Sequence, residues 1–526
     1  MKRFTRLRIF LLTLLCTLAF ASCTDSDVPA DDNPSSNSAA GKYISISVST
    51  EGAAATRATV NEGTDTPPNG GEDGDGTENG NVNEYQVNKV SILLYQVPDD
   101  VDEAKLPSEG LINVAEETAE KIPVYVFCWS TYQKASSASG SSETDNVYTT
   151  GSRPLSSDIK LGKYRIVVVA NADLSGLNGR SLAYIRNYVL TSEPFDRGAS
   201  EYGTTNYNPT TYSDFVMSSY KEQNIIIGNT EGHCGTGSQS DPYVTTDGTI
   251  ELERLAARVD FAPTSSTDVM GKGDFCTWNA TDNTYDYKVL NDAGLQVATF
   301  KLKYVAPFNF TRQQYLFKHT TTLADLTTCN YMGRETDETT TSGSWNKHYA
   351  TNYVLDPFTL KKGNVSSDLT AFYIPELYHH ALTDNNNQLV MRYHVKAPTD
   401  MAYDSKYDRN YYIVGYSAEN TLTAATQQTV DPAVSSYVAG LRFFGKYVKT
   451  GQTVDDAEWK AYDYYIRHSA PDGKADLTKP MTFGLVRNNI YRVFINSISA
   501  AEGDLTIHLK MMCIPWQRYE HEEIVM

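Results

Sequence analysis

The sequence predicts an all-β protein made of antiparallel β-sandwich domains with few short helices. Short runs of alternating apolar and polar residues recur along the chain, separated by clusters of Gly, Pro, Asn and Asp. Helical periodicity is scarce, whereas Thr, Ser and Tyr are abundant, with 36 tyrosines. Short, punctuated runs of strand-forming residues are typical of sandwiches rather than of helical bundles.

The predicted strands and loops define two halves. The clearest strand patterns cover residues 87–97, 124–129, 163–171, 249–262, 299–305, 411–417, 490–498 and 504–514. Ser181 is predicted to cap one short helix. Residues 62–83 are acidic and low in complexity, which predicts disorder, and residues 136–146 are predicted to form a surface loop. The Gly- and Ser-rich residues 232–248 separate the halves, so we expect domains at 58–242 and 243–526.

The first 22 residues predict a lipoprotein signal peptide. Four basic residues precede an apolar run that is too short to span a membrane as a mature helix. Small residues follow and lead into Cys23, which indicates that Cys23 becomes the lipidated first residue. An ordinary secretory signal cut near Ser22 is the alternative, and a single membrane helix is a weaker one.

The charge of the chain excludes one class of partner. The formal net charge is -19, and removal of the four positive charges of the signal peptide gives -23 (-19 minus 4). A chain this acidic is poorly suited to nucleic acid, because phosphate contacts need Lys and Arg. Residues 24–39 are predicted to be a solvated acidic tether, so residues 23–57 would form a propeptide.

No catalytic, metal or cofactor site is predicted. Of seven cysteines, Cys16 lies in the signal peptide and Cys23 is the lipidation site, and the other five are dispersed without a CxxC pair. Neither a zinc site nor a disulfide framework can be recognised, although one bridge stays open. His379 and His380 are adjacent, so they would point to opposite faces of a strand. The motifs of metalloproteases, serine hydrolases and nucleotide-binding enzymes are missing from the sequence, so we expect no enzyme.

The first predicted strand lies close to the start of the mature chain. Ile44, Ile46 and Val48 alternate with serines, which predicts a half-buried strand with a solvated face. Full burial of three such side chains stabilises a fold by roughly 1.5–3 kcal/mol each, about 5–9 kcal/mol together. That sum is comparable to the whole stability of a domain, about 5–15 kcal/mol.

A protease site is predicted directly after this strand. Small residues follow it and end at Arg57, so the bond between Arg57 and Ala58 should be accessible to a protease. Loss of the strand would leave an open sheet edge, which templates pairing with another chain. In donor-strand complementation, a strand of the next molecule fills such a groove, and a head-to-tail contact of this kind propagates as a filament.

The C-terminus supplies a candidate donor strand. Its apolar residues alternate with polar ones, and Pro515 should end the strand, bend it or place it at an edge. The candidate donor residues are Leu505, Ile507, Leu509, Met511, Trp516, Tyr519 and Ile524. An apolar chain end docks either on its own domain or on another one.

These residues resemble the fimbrillins of Bacteroides-group bacteria, the subunits of type V pili, and most closely the shaft subunit of the minor (short) fimbrium. The matching stretches, in order, are FASC at residues 20–23, KYISISVS at 42–49 with Arg57 after it, VNKVSILLYQV at 87–97, LERLAARVDF at 252–261, VRNNIYRVFINSI at 486–498 and IPW at 514–516. Each stretch is a weak pattern, and the six in one order form a strong one.

The resemblance implies two transthyretin-like β-sandwich domains and a lipoprotein precursor of the cell outer membrane, with palmitate on Cys23. It implies cleavage after Arg57 by an arginine-specific protease, loss of residues 43–50, and donation of residues 505–526 to the groove of an identical subunit. Tip and anchor proteins of the same fimbrium would be further partners, and adhesion the role of the assembly. Two alternatives remain: a tip or anchor subunit, and a surface lipoprotein that binds or degrades glycans.

Overall fold

The structure is a computed structural model. It describes residues 37–50, 78–96, 116–133, 147–200, 207–219, 222–229, 231–263, 275–322, 352–357, 393–404, 409–421, 438–466, 484–501 and 504–517. Five of the predicted functional residues lie outside this part of the chain: Cys23, Arg57, Ala58, Tyr519 and Ile524.

The first sheet is formed by residues of the N-terminal half. Its nine strands are β2 (Ser47–Ser49), β4 (Lys89–Tyr95), β5 (Tyr125–Ser130), β6 (Tyr132–Gln133), β7 (Val147–Thr149), β9 (Gly162–Ala170), β11 (Met217–Ser219), β12 (Gln223–Ile227) and β13 (Ile250–Arg254). The strand order is β5-β4-β9-β11-β13-β2-β7-β6, and β12 pairs with β9. All described pairs in this sheet are antiparallel except β13 with β2.

The second sheet is formed mainly by the C-terminal half. Its eleven strands are β3 (Glu78–Asn79), β14 (Ala257–Ala262), β15 (Cys276–Asn279), β16 (Thr284–Leu290), β17 (Gln296–Phe308), β21 (Ala402–Asp404), β22 (Arg409–Ser417), β24 (Gly440–Lys449), β25 (Trp459–Tyr465), β27 (Asn489–Ala501) and β28 (Asp504–Gln517). The order is β21-β22-β14-β27-β16-β17-β24-β25, with β15 on β16, β28 on β27 and β3 on β28.

Four short strand pairs and a few helical turns complete the described fold. The pairs are β1 (Tyr43–Ile44) with β8 (Arg153–Pro154), β10 (Val189–Leu190) with β18 (Gln314–Tyr315), β19 (His319–Thr322) with β20 (Asn352–Leu355), and β23 (Asn420–Thr421) with β26 (Gly484–Leu485). The helices are α1 (Val82–Tyr85), α2 (Glu116–Ala119) and α3 (Leu182–Arg186), with 3-10 turns at Ser175–Leu177, Pro209–Thr211 and Pro398–Asp400.

The predicted fold class, all-β with few short helices, is confirmed, and each predicted strand pattern contains strand residues. The pattern of β9 shows why the first sheet is stable: Ile166 and Val168 pack into one core, and Val167 and Val169 pack into another on the opposite face. A continuous apolar run of this kind indicates a strand that is covered on both faces. The predicted helix cap is confirmed as well, because the Ser181 hydroxyl accepts a hydrogen bond from the Tyr184 amide at 3.2 Å.

One predicted strand is in fact two strands in different sheets. Residues 249–262 read as a single run, but β13 ends at Arg254 and β14 begins at Ala257. Leu255 and Ala256 between them are both fully buried, and they face different cores. The chain therefore crosses from the first sheet to the second at this point, and the predicted domain division near residue 242 stays a prediction.

A second expectation is corrected near residue 80. Residues 62–83 were expected to be disordered from their polar composition, yet residues 78–85 contain β3 and α1. The helix begins after Asn81, which shares a capping box with Glu84. Glu84 is completely buried and pairs with Arg258 at 3.2 Å, so a buried ion pair orders a segment that has little apolar surface of its own. The predicted loop at 136–146 lies outside the described residues.

The two sheets share part of their cores. One cluster joins Ile92 and Ile166 of the first sheet with Tyr416, Ile490 and Phe494 of the second. A further cluster places Leu316 and Phe317 of the C-terminal half beside apolar residues of β4, β9 and α3. Apolar contact of this extent packs the described parts of the two halves against each other, rather than leaving them as separate domains joined only by a linker.

Candidate functional site

The first strand is an interior strand of the first sheet. β2 lies between two neighbours, β13 on one side in parallel pairing and β7 on the other in antiparallel pairing. Val48 is the central position, since its backbone is level with Ile250 of β13 and Tyr148 of β7. Removal of β2 would therefore open a groove with an unpaired strand edge on each side.

We call residues 43–50 the belt. Backbone hydrogen bonds hold the belt upstream of β2 as well. The amide of Ser45 donates to the Tyr243 carbonyl at 2.9 Å, and the amide of Tyr243 donates to the Tyr43 carbonyl at 2.9 Å. On the other side, the amide of Thr150 donates to the Ile46 carbonyl at 2.9 Å. The amide of Ile46 in turn donates to the Thr150 hydroxyl at 3.1 Å. The segment thus bonds to its neighbours along both of its edges.

The apolar side chains of the first strand are in the core, as predicted. Ile44 is 0% exposed, and Ile46 and Val48 are each 1% exposed. The serines of the opposite face were expected to be solvated, and this part was wrong: Ser45 and Ser47 are half-buried and Ser49 is buried. Side chains of neighbouring strands cover part of this face; the Ser45 hydroxyl, for example, lies 3.4 Å from that of Thr149.

A tight turn supports the outer margin of this belt. Gly237 has a φ of 72°, and its carbonyl accepts a hydrogen bond from the Tyr43 amide at 3.0 Å. A Cβ atom at Gly237 would lie 2.2 Å from the ring of Tyr243, which is itself fully buried. Only glycine fits both the backbone conformation and the space. The sequence suggested only a polar separator at residues 232–248, because a glycine in a turn does not reveal which strand the turn supports.

The predicted cleavage site follows directly in the sequence. Thr50 at the end of the belt is completely buried, and it is the last described residue before Arg57. The residues predicted for lipidation and cleavage, Cys23, Arg57 and Ala58, therefore stay predictions.

The C-terminal strand lies on the second sheet of its own chain. β28 pairs with β27 in antiparallel register from Asn489 with Pro515 to Ala501 with Asp504. Among the described residues, its other margin has a partner only at its end, where Trp516 and Gln517 pair with β3. Pro515 is thus in an edge strand, as expected from its missing amide donor. Five candidate donor residues belong to this strand: Leu505, Ile507, Leu509, Met511 and Trp516.

The two candidate elements are not brought together within one chain. The first strand belongs to the first sheet and β28 to the second, and no ladder joins them in the described part of the structure. For β28 to fill the groove that β2 occupies, it must therefore come from a second molecule, or its own chain must rearrange extensively.

The junction of the two sheets contains a buried charge cluster that the sequence patterns did not reveal. The Asp260 carboxylate accepts hydrogen bonds from Arg258 (2.9 and 3.0 Å) and Arg492 (2.9 and 3.3 Å). Arg258 also reaches Glu84 at 3.2 Å, and the hydroxyl of Tyr416 donates to the same carboxylate. All five side chains are buried, so their charges are balanced by each other rather than by water.

Two more arginines extend this junction. The Arg254 guanidinium donates to the Glu84 carbonyl at 2.7 Å, and burial, partly offset by Glu84, lowers its pKa to about 10. Arg487 holds Glu419 through two hydrogen bonds of 2.7 and 2.8 Å. The stretches LERLAARVDF and VRNNIYRVFINSI contain all four arginines, and two of them, Arg254 and Arg258, bond to Glu84 of the N-terminal half. Only the clustering of arginines in otherwise apolar strands could have suggested this role.

The described residues contain no arrangement that suggests catalysis. No group of three or more His, Cys, Asp or Glu among them could hold a metal ion. Cys128, Cys234 and Cys276 are half-buried thiols that form no disulfide among the described residues, and burial raises the pKa of Cys276 to about 12, which makes it a poor nucleophile. Within the same residues, no helix has the length and apolar character needed to cross a membrane.

Comparisons with known proteins give structural likenesses only. No protein-family model matches the sequence, and no curated protein matches it. The structure is similar to that of a candidate cell adhesion protein from Parabacteroides distasonis, with a TM-score of 0.38, 12% identity, and coverage of 90% of this chain and 99% of that one. It is also similar to a fimbrilin from Porphyromonas gingivalis, with a TM-score of 0.35, 12% identity, and coverage of 92% and 99%. A tip fimbrial protein from Porphyromonas gingivalis, with a C-terminal truncation, gives a TM-score of 0.35 at 11% identity, covering 90% and 100%. Likenesses at these TM-scores carry no argument about this chain.

Proposed function

We propose that the chain is a structural subunit of a surface fimbrium, the shaft of a type V pilus, and that it polymerises by donor-strand exchange. The precursor is lipidated at Cys23 and held at the outer membrane. Cleavage after Arg57 by an arginine-specific protease frees residues 43–50, and the mature subunit, starting at Ala58, joins a head-to-tail filament. Tip and anchor proteins of the same fimbrium complete the assembly, which supports adhesion.

The observation that carries this proposal is the interior position of the first strand. A strand close to the chain terminus is inserted between β13 and β7, and its three apolar side chains are at most 1% exposed. Its removal would leave two unpaired strand edges and an apolar groove between them. Exposed edges of this kind pair readily with an incoming strand, and pockets for alternate side chains select that strand.

The proposed donor is the chain from Leu505 to Met526. β28 lies at a margin of the second sheet, where it is bound along one side by β27. A marginal strand leaves its sheet with the loss of few pairings beyond it, here those of Trp516 and Gln517 with β3, unlike an interior strand such as β2. The division into an acceptor domain at 58–242 and a donor-bearing domain at 243–526 is part of this proposal.

Cleavage is tested with two variants of the arginine. Arg57→Ala and Arg57→Lys are expressed in the native host, and surface polymers are analysed on gels as ladders that resist mild heating. Both variants should accumulate a lipidated precursor without ladders, since Arg57→Lys keeps the charge but not the site of an arginine-specific protease. Arg180→Lys is the control. Arg180 is exposed and lies just before α3, so this variant should polymerise normally. Normal ladders from Arg57→Ala would contradict the proposal.

The two ends of the surface form decide between the possible roles. Mass spectrometry should show a protein that starts at Ala58 and ends at Met526. A start at Ala58 fits a shaft or a tip subunit, whereas a start at Cys23 would indicate an anchor. Deletion of residues 517–526 should give a subunit that is cleaved but associates weakly. Unchanged polymer length after this deletion would exclude the terminal residues as donor.

A further inference from the structure

An aromatic surface lies at the far margin of the second sheet, remote from the first strand. We call it the aromatic platform and define it as Tyr304, His394, Phe444 and Trp459. Phe444 and Trp459 are nearly parallel, with ring centroids 4.9 Å apart and an angle of 7°. Tyr304 lies 6.0 Å from each of them, and His394 lies 4.5 Å from Tyr304.

The strand pattern turns this platform outward. In β24, Arg442, Phe444 and Lys446 are half-exposed, whereas Leu441 and Phe443 are fully buried. Phe444 is opposite Tyr304 of β17, and Lys446 is opposite Trp459 of β25. Directly opposite residues of paired strands share one face, so these side chains lie on the same side of the sheet, where Tyr304 is buried at 7% exposure and Phe444 and Trp459 are more exposed.

Trp459 is the exposed part of the platform. Its side chain is 42% exposed, and it is the most exposed of the three tryptophans whose burial is described. β25 is the last strand of the described sheet order, so nothing in that order continues beyond it. One exposed ring is common at a protein surface, so the case for a ligand rests on the stacking of Trp459 with Phe444 and on the lysine beside it.

Lysines surround the platform, although the chain as a whole is acidic. The Lys446 ammonium lies 5.5 Å from the centre of the Trp459 ring, and the Lys303 ammonium lies 5.9 Å from that of Tyr304. Lys446 donates one hydrogen bond, to the Val454 carbonyl at 2.8 Å, so two of its three donors can serve a ligand.

The positive charge at this surface also affects a titratable neighbour. Burial, together with the charges of Lys303 and Lys396, lowers the pKa of His394 to about 4. Two nearby carboxylates are paired with cations, Asp463 with Arg442 at 2.6 Å and Glu458 with Lys460 at 2.9 Å, whereas Asp455 and Asp456 are exposed on the turn that follows Val454. Lys446 and Lys303 are the groups at the platform that would bind an anion.

We propose that the aromatic platform binds a carboxylated pyranose, an acidic sugar residue of a glycan. The C–H face of the sugar ring stacks on the electron-rich face of Trp459, and the carboxylate accepts charge-assisted hydrogen bonds from Lys446 and Lys303. An aromatic ring suits a pyranose because one face of the sugar chair presents C–H groups to the electron-rich face of the ring. This binding is independent of polymerisation, so it holds or fails separately from the proposed function.

The test is calorimetric titration of the full mature chain with three probes. Trigalacturonate and sialyllactose carry the carboxylate in two different sugar types, and lactose lacks it. At least one acidic probe should bind saturably with a Kd on the order of 0.1–1 mM, and lactose should bind at least about tenfold more weakly. The better of the two acidic probes tells a uronic acid from a sialic acid as the source.

Matched variants assign the binding to the platform. Trp459→Ala should weaken binding of the acidic probe about tenfold or more, and Lys446→Met, which keeps the apolar stem, should weaken it several-fold. Tyr132→Ala removes an aromatic ring that is 58% exposed on the first sheet and should leave binding unchanged. If Trp459→Ala is poorly folded by circular dichroism, Lys446→Met decides.

Four results would overturn the proposal. The first is that neither acidic probe saturates the protein up to about 10 mM, and the second is that lactose binds as tightly as the acidic probes. The third is that Tyr132→Ala weakens binding as much as Trp459→Ala, and the fourth is that both platform variants bind like the wild type. Self-association that Trp459→Ala abolishes would assign the platform to a second copy of this chain and would refute glycan binding as well.

Discussion

Substitution of Ile46 by alanine should destabilise the first sheet by about 3 kcal/mol, within the 2–5 kcal/mol typical of fully buried Ile→Ala changes. Ile46 is 1% exposed and belongs to the core that Ile44, Val48, Ile166 and Ile250 line. The change removes apolar area and leaves a cavity that the strands on both sides cannot close without breaking their ladders. The backbone hydrogen bonds of Ile46 are retained, so the loss measures side-chain burial alone.

Two measurements test this change in the precursor that has lost its signal peptide, is not cut at Arg57, and carries Cys23→Ser to prevent lipidation. Urea unfolding should show a lower midpoint with the same slope, as expected when stability changes and compactness does not. After limited cleavage at Arg57, gel filtration then follows the freed peptide of residues 23–57. If the full 3 kcal/mol appears in the dissociation rate, the peptide should leave Ile46→Ala up to about a hundredfold faster than the wild type.

Ser47→Ala is the matched control on the other face of the same strand. Ser47 is half-buried, so its loss should cost no more than about 0.5 kcal/mol and leave the release rate unchanged. The reasoning is refuted if Ile46→Ala unfolds within about 0.5 kcal/mol of the wild type, or if Ser47→Ala is as destabilising as Ile46→Ala.

Three further predictions concern the surroundings of the belt and the two sheets. Gly237→Ala should lower the melting temperature more than Gly294→Ala, since both have positive φ but only the first would place a Cβ atom against the Tyr243 ring; equal losses would contradict this. Arg258→Met should cost about 3–5 kcal/mol in urea unfolding, because it leaves buried carboxylates unbalanced, and a neutral effect would show that the cluster is dispensable. His394 should make the protein less stable as pH falls. Its pKa is about 4 when folded and about 6.5 when unfolded, so only the unfolded chain takes up the proton between these values. Because the ring is half-exposed, the loss between pH 6.5 and 4 should be about 1–2 kcal/mol, and His394→Gln should abolish it; a pH dependence identical in that variant would refute the assignment.

The strands could be predicted because their information is local. Each is coded by the alternation of neighbouring residues, and the burial of Ile44, Ile46 and Val48 followed from that alternation alone. The crossing at Leu255 and Ala256 could not be predicted in this way. Both residues are apolar, so the change of sheet leaves no break in the pattern, and only the position of the two cores reveals it.

The charge cluster could not be predicted for the opposite reason, because its information is distant. Glu84 meets Arg258 across 174 positions, and Asp260 meets Arg492 across 232. A buried charge is destabilising until its partner arrives, so neither residue alone indicates where it lies. The sequence shows acidic and basic residues whose partners are fixed only by the topology of the sheets.

The interior position of the first strand also explains how one cut could allow another strand to replace it. In the uncut chain, the strand is tethered beside its groove, so the cost of bringing two molecules together is not paid. After cleavage, binding of the peptide loses about 4–15 kcal/mol of free energy in bringing two molecules together. The burial of its three apolar side chains contributes only about 5–9 kcal/mol, together with the backbone hydrogen bonds of the ladder. The net affinity of the freed peptide is then small although its side chains are completely buried. A longer donor, such as residues 505–526, would bury more area for the same cost of association and would replace it. On this reasoning, stability in the precursor and exchange after cleavage require no change in the groove, only the loss of one covalent connection.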